Sequence, residues 1–159
     1  MGDETSTLQQ EIRQRKPFRS LGQEAALGLM RTTDLVRRSI ARLLEPYDMT
    51  PQQYNVLRIL RGAGEEGLPT LEISDRMIEQ APGITRLLDR LEAKKLVRRQ
   101  RCPEDRRQVL CWLTAEGTDL LERLDEPVSS EDATAMAMLS PDEQKELIRL
   151  LDKVRAGLK

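Results

Sequence analysis

Apolar residues recur at helical spacing along most of this chain and at strand spacing in only one stretch. From Leu21 they fall at Leu21, Ala25, Leu29, Val36, Ile40, Leu43 and Tyr47. Steps of three, four and seven predict one long amphipathic helix ending near Pro46. The next helix opens at Thr50-Pro51-Gln52-Gln53, where Thr50 suits the N-cap, Pro51 the first position and Gln53 the reciprocal bond of a capping box. It carries Tyr54, Val56, Leu57 and Leu60 and stops near Gly62 and Gly64. GEEGLPT reads as a loop. Thr70 is placed to cap a short helix with Leu71, Ile73 and Met77 turned inward. Pro82 and Gly83 then open another helix. Its apolar residues Ile84, Leu87, Leu88 and Leu91 leave Thr85, Arg86, Asp89, Arg90 and Lys94 on the opposite face.

After this helix the period changes. LVRRQRC is compatible with a strand, PEDR has turn chemistry, and RQVLCWLT alternates so that Val109, Cys111 and Leu113 share a side. A connection of about four residues predicts a hairpin. Thr114 caps a further helix through Leu120, Leu121 and Leu124, in which Pro127 predicts a kink or a restart before the polar run SSED. SPDE at 140–143 is a second capping box, and the helix it opens uses Leu147, Ile148, Leu151, Val154 and Leu158. Residues 1–19 are polar and unpatterned and contain Pro17, which predicts a flexible N-terminal arm.

The order is therefore long helix, helix, short helix, helix, hairpin, helix, helix. It predicts a mainly α (α+β) fold: a winged helix-turn-helix with a two-stranded β-wing and long N- and C-terminal dimerisation helices. Residues 49–114 would form the DNA-binding domain. Residues 20–48 and 115–159 would form a helical dimerisation region, because their apolar stripes exceed what so small a core can cover.

Composition narrows the function. The chain has 159 residues, enough for one domain and a dimerisation element. Aromatic residues make up only 3%, which favours a leucine-rich helical core. There is no run of about 18 apolar residues and no apolar stretch of a signal peptide at the start, so a cytoplasmic protein without membrane contact is expected. The chain contains no histidine, which removes histidine-ligated metals and Ser-His-Asp or Cys-His catalysis. Neither a phosphate-binding glycine motif nor a credible carboxylate pair is present, so no enzyme, cofactor or metal is expected.

Net charge is -1, yet it is unevenly spread. Between Arg86 and Arg107, nine Lys/Arg stand against four Asp/Glu, a local balance of +5 on an otherwise acidic chain. Such a basic segment on a helix and hairpin is the footprint of a double-stranded DNA reader. Pro82, Gly83, Thr85, Arg86 and Arg90 would lie at a major groove. Arg106 and Arg107 at the hairpin tip would enter a minor groove, with Asp105 holding the Arg107 guanidinium through a bidentate pair.

TRLLDRLEAKKLVRRQRCPEDRRQVLCWLT resembles the recognition helix and wing of the MarR family of bacterial transcriptional regulators. The family elements are matched at Thr85 to Glu92, Leu96 to Arg98, Asp105 to Arg107, and Leu113-Thr114. The resemblance implies a homodimer acting on a pseudo-palindromic operator, as a repressor. It also implies release by a small anionic or aromatic effector, with Arg31, Asp34, Tyr54 and Arg58 as candidate pocket residues. Lys95 stands where many members carry glycine, which predicts an imperfect helix end, and Gln80 stands in place of a serine N-cap. Two other readings are a winged-helix protein-interaction module without DNA binding, and a redox-sensing regulator acting through Cys102 or Cys111. Cys102 lies among arginines that favour a thiolate; Cys111 falls in the apolar alternation.

Overall fold

The computed structural model describes residues 7–80, 83–103, 105 and 107–158. The chain forms two compact units, one ending at Ser39 and one running from Ile40.

In the first unit, Thr7–Glu11 is a short helix, α1, within the span expected as an arm. Helix α2, Leu21–Leu44, starts where the Ser20 hydroxyl accepts from the Gln23 amide at 3.1 Å. Arg31 pairs with Glu11 at 3.7 Å and Arg38 with Asp34 at 3.0 Å. Much of the apolar stripe of α2 is open to solvent, with Leu21 86% and Met30 69% exposed.

The second unit begins in the last turn of α2, which passes into a 3-10 turn, Glu45–Tyr47, and then to Asp48 at φ 51°. Helix α3, Pro51–Ala63, has the capping box that its sequence announces: Thr50 Oγ1 accepts from the Gln53 amide at 3.2 Å, and Gln53 Oε1 from the Thr50 amide at 3.0 Å. Helix α3 is the centre of the core, with Val56, Leu57 and Leu60 all but sealed from solvent. Around it pack Leu44, Ile73, Leu88, Leu91, Val97, Cys111, Leu121 and Leu124. Each such leucine or valine contributes about 1.5–3 kcal/mol by leaving water.

The expected loop after α3 is more ordered than its glycines suggest. A 3-10 turn, Gly64–Glu66, leads into a two-residue strand β1, Leu68–Pro69. Helix α4, Thr70–Arg76, follows directly. Thr70 is not its cap. It is the first helical residue, after Pro69, and its hydroxyl instead donates to the Val109 carbonyl at 3.3 Å. Leu71 is not inward either: at 78% exposed it points to solvent, while Ile73 takes the core position.

Helix α5, Ile84–Ala93, is preceded by Gly83 at φ 94°, so Gly83 rather than Gln80 holds the N-cap position, and no side chain caps it. Strands β2, Val97–Arg101, and β3, Val109–Leu113, pair antiparallel, and β1 adds to the other edge of β3 in the order β1-β3-β2. The wing is thus two-stranded on a three-stranded sheet. Its connection, positions 102–108, is longer than expected and closes through Cys102 N–H to Gln108 O and Gln108 N–H to Asp105 O, both at 2.9 Å.

Helix α6, Ala115–Ala135, is capped by Thr114, whose hydroxyl accepts from the Gly117 amide at 3.1 Å. Gly117 has to be small, because a Cβ there would lie 2.4 Å from the Leu96 carbonyl oxygen. The helix neither stops nor restarts at Pro127, and takes in the SSED run. Arg61 of α3 grips Asp125 of α6 through two bonds of 2.9 Å. Helix α7, Pro141–Ala156, is opened by the Ser140–Glu143 capping box and has no buried residue.

Candidate nucleic-acid interface

Helix α5 lays Leu88 and Leu91 into the core, at 0% exposure each. At 3.6 residues per turn this puts Thr85, Arg86, Asp89 and Arg90 on the outer face, and all four are exposed. Gly83, also exposed, begins the helix with its left-handed backbone. Pro82 lies outside the described residues, as does Arg106.

The expected helix end at Lys95 is better built than its composition suggests. Lys95 takes φ 60°, the conformation usually left to glycine. Its amide bonds to Glu92 O at 2.9 Å, and the Leu96 amide to Leu91 O at 3.0 Å. This pair of bonds is a Schellman motif formed with lysine at the left-handed position. Lys94, one residue earlier, pairs with Asp48 at 2.7 Å and fixes the end of α5 to the start of α3. The Lys94 ammonium holds the Asp48 carboxyl below the usual carboxylate range.

The arginines of the wing divide into two groups. The Arg98 guanidinium lies over the Trp112 ring, 4.0 Å from its centroid, while the indole N–H donates to the Glu65 carbonyl at 3.0 Å. Arg99 turns the other way and binds Asp89 and Glu92 of α5, each at 2.6 Å. It stands one position past the Leu96–Arg98 stretch singled out in the sequence. Asp89, three residues from Arg86 on α5, is taken by Arg99. Arg101 and Arg107, nearer the tip, are exposed.

Asp105 supports the tip differently from the expected guanidinium pair. Its Oδ1 accepts from the Arg107 backbone N–H at 3.0 Å and its Oδ2 from the Gln108 side-chain amide at 3.3 Å. This is an Asx-type turn: the carboxylate shapes the backbone that carries Arg107 and leaves the guanidinium to solvent. A groove lies between α4, α5 and the wing, bordered by Leu71, Thr85, Arg99, Arg107 and Gln108.

The candidate pocket residues sit in two places. Arg31 and Asp34 are on α2 in the first unit, each with its ion pair there. Tyr54 and Arg58 are on α3, where Arg58 stands 5.9 Å from the centroid of the buried Tyr54 ring and burial pushes the phenol up from its ordinary value. A separate cleft of about 710 Å³, not anticipated from sequence, is lined by Arg42, Met49, Arg90, Ala93 and Lys94. Cys111 is fully buried and its thiol is pushed up by desolvation, while Cys102 is half-buried. Among the described residues no cluster of His, Cys, Asp or Glu could hold a metal ion, and no helix is long and apolar enough to cross a membrane.

A helix-turn-helix with an exposed polar second helix, followed at once by a basic wing, defines a DNA-binding winged-helix regulator. The chain belongs to the MarR family, whose sequence pattern matches residues 47–108. It is 30% identical over 134 residues to the HTH-type transcriptional regulator YkoM of Bacillus subtilis (strain 168), covering 82% of this chain and 86% of that one. A MarR transcription factor from Planctomyces limnophilus is 45% identical, with a TM-score of 0.67 over 86% of this chain and 98% of that one. BpsR of Bordetella bronchiseptica, whose structure concerns regulation of its DNA binding by 6-hydroxynicotinic acid, is 26% identical, with a TM-score of 0.74 over 83% of this chain and 98% of that one. These relatives are regulators, not enzymes. The reading as an interaction module without DNA binding is set aside by this membership.

Proposed function

We propose that the protein is a homodimeric cytoplasmic repressor that binds a pseudo-palindromic operator, with α5 of each subunit in a major groove and each wing against a neighbouring minor groove. The observation that carries this reading is the two-faced α5: Leu88 and Leu91 fix it in the core, and Thr85, Arg86 and Arg90 face outward. Arg86 and Arg90 read base edges, each worth about 1–3 kcal/mol of discrimination when bidentate to guanine. Pro82, Gly83 and Thr85 bring the helix start to the backbone, and Arg106 and Arg107 supply the wing contacts. Dimerisation is supported by the open apolar stripes of α2 and α7.

The test is selection of bound sequences from random DNA, with sedimentation of the free protein. An inverted repeat with half-sites about 10–10.5 base pairs apart, or a multiple, and a particle of twice 18.2 kDa are expected. Arg86→Ala should relax the preference at defined bases. A monomer that selects a single unrepeated site would overturn the reading.

Release by a small anionic aromatic ligand is the second part of the proposal. It is supported by the likeness to BpsR and by two cationic places with apolar surface nearby. Arg58 over Tyr54 is one; Arg31 and Asp34 on α2 are candidates by themselves. The cleft shared by Arg42, Arg90 and Lys94 is the other, and a carboxylate there would compete with DNA for Arg90. Titrating 6-hydroxynicotinate and related acids into the protein–operator complex, with Arg58→Ala and Arg42→Ala compared, locates the site. No release by any aromatic acid removes this part.

A further inference from the structure

We propose that Arg99 is a positioning residue for DNA reading: it locks the reading helix to the wing and takes two carboxylates out of the DNA's field without itself touching DNA. This inference rests on the assignment of α5 to the major groove.

Asp89 and Glu92 are three residues apart on α5, so they project from one flank of the helix. Asp89 lies directly between Leu88 and Arg90 in sequence, and is 55% exposed at its side chain. Left unpaired, its charge would face the phosphates that flank the groove entered by Arg86 and Arg90. Arg99 on β2 answers both acids with one guanidinium. Its Nη2 donates to Asp89 Oδ1 and to Glu92 Oε2, each at 2.6 Å, and its Nε donates to Glu92 Oε2 at 3.0 Å. The side chain of Arg99 is only 20% exposed, in contrast to Arg101 and Arg107 farther along the wing. The Glu92 hydrogen bond, then that of Asp89, holds its proton still more firmly than an ordinary arginine's, against some loss of hydration.

The consequence is geometric as well as electrostatic. Strand β2 runs on from Arg99 to the wing tip, and Arg99 pairs in register with the buried Cys111 of β3. A guanidinium fork bonded to two carboxylates on the helix therefore fixes the rotation of α5 about its axis relative to the wing. The major-groove and minor-groove elements then move as one body. Arg99 also lines the groove that borders Thr85 and Arg107.

The sign of one charge change tests this. Asp89→Asn with Glu92→Gln makes the protein less negative by two charges per subunit, which by Coulomb attraction alone tightens DNA binding. If the carboxylates serve as Arg99's anchor, operator affinity falls instead, by about tenfold, the worth of one well-aimed base contact. The ratio of operator to random-DNA affinity falls with it. Tighter or unchanged operator binding overturns the proposal. Arg99→Gln gives an independent reading through the salt slope, which changes by about one for each phosphate that the protein no longer neutralises. An unchanged slope with weakened operator binding is expected, with partial recovery in Arg99→Lys. A slope shallower by about one per subunit would make Arg99 a phosphate ligand and overturn the proposal. If the wild-type protein binds no operator, the assignment of α5 fails first; if it binds and both variants match it, only the role of Arg99 fails.

Discussion

Helices α5 and α7 are both amphipathic, both amply charged, and both part of the same compact unit, yet the chain treats their apolar faces in opposite ways. Leu88 and Leu91 of α5 have no accessible surface. Ile148 of α7 is 60% exposed, Val154 48% and, just past its end, Leu158 82%. The ends differ too. Helix α5 closes in a Schellman motif at Lys95, whereas Gly157 after α7 stays right-handed at φ -79° and fixes no such turn. One helix is finished by its own chain. The other presents a row of side chains whose burial needs another surface, which the proposed dimer supplies.

The sharpest way to break that contrast is to charge the open stripe. Ile148→Asp with Val154→Asp should convert the dimer to a folded monomer in sedimentation. Because the second half-site is then no longer bound in the same event, operator affinity should drop by roughly 10²–10⁴-fold. Dimers that survive both substitutions would move the interface elsewhere. The matching change in α5 is Leu88→Ala, which should cost about 2–5 kcal/mol of stability through reduced burial and a cavity. It should leave the oligomeric state alone, and calorimetry beside sedimentation checks both. A loss of dimer on Leu88→Ala in the folded protein would mean the two faces are not independent.

A smaller effect is expected at the wing tip. Asp105→Ala removes the acceptor for the Arg107 amide and should weaken operator binding by roughly 1 kcal/mol, the worth of an ordinary hydrogen bond. Asp105→Asn keeps an acceptor oxygen in the same place and should bind within about twofold of wild type. Competition binding at fixed salt distinguishes the two. Were Asn as damaging as Ala, the carboxylate charge, not the turn, would matter.

The contrast also shows which parts of such a chain can be read in advance. Thr50, Thr114 and Ser140 each cap the helix they precede, because a cap is a bond across three residues and needs only local sequence. The cores of α3 and α5 are legible from their period. What escapes the sequence are decisions made across the fold. Thr70 has the look of a cap, but strand β3 supplies the Val109 carbonyl for its hydroxyl. Leu71 has the look of core, because its spacing from Ile73 and Met77 does not say which side of so short a helix is covered. Strand β1 has only two residues and exists because the edge of β3 is there to pair with. In the candidate site the run of arginines is plain, but not its division into those bonded to Trp112 and α5 and those left for DNA. That division depends on which face of β2 meets the helix.

The smallest prediction concerns the join between the finished helix and the wing. Lys95 occupies a left-handed backbone position at a cost of about 1–2 kcal/mol for a residue with a Cβ. Glycine has no such cost in the folded state, though it loses more freedom on folding, about 0.5–1 kcal/mol. The balance predicts that Lys95→Gly stabilises the protein by up to about 1 kcal/mol, a rise of roughly 2–4 °C in Tm for a chain of this size. Lys95→Ala keeps the Cβ and removes the charge, so it should leave Tm unchanged and serves as the control. If Ala raises Tm as much as Gly, relief of like charge beside Lys94 is the cause and the backbone account of this helix end is wrong. If Gly lowers Tm while Ala does not, the freedom that glycine loses on folding outweighs the relief of the left-handed position. The expected order, Gly above Lys and Ala alike, would show that the close of α5 is held by its two backbone bonds, Lys95 to Glu92 and Leu96 to Leu91, against the preference of the residue that makes them.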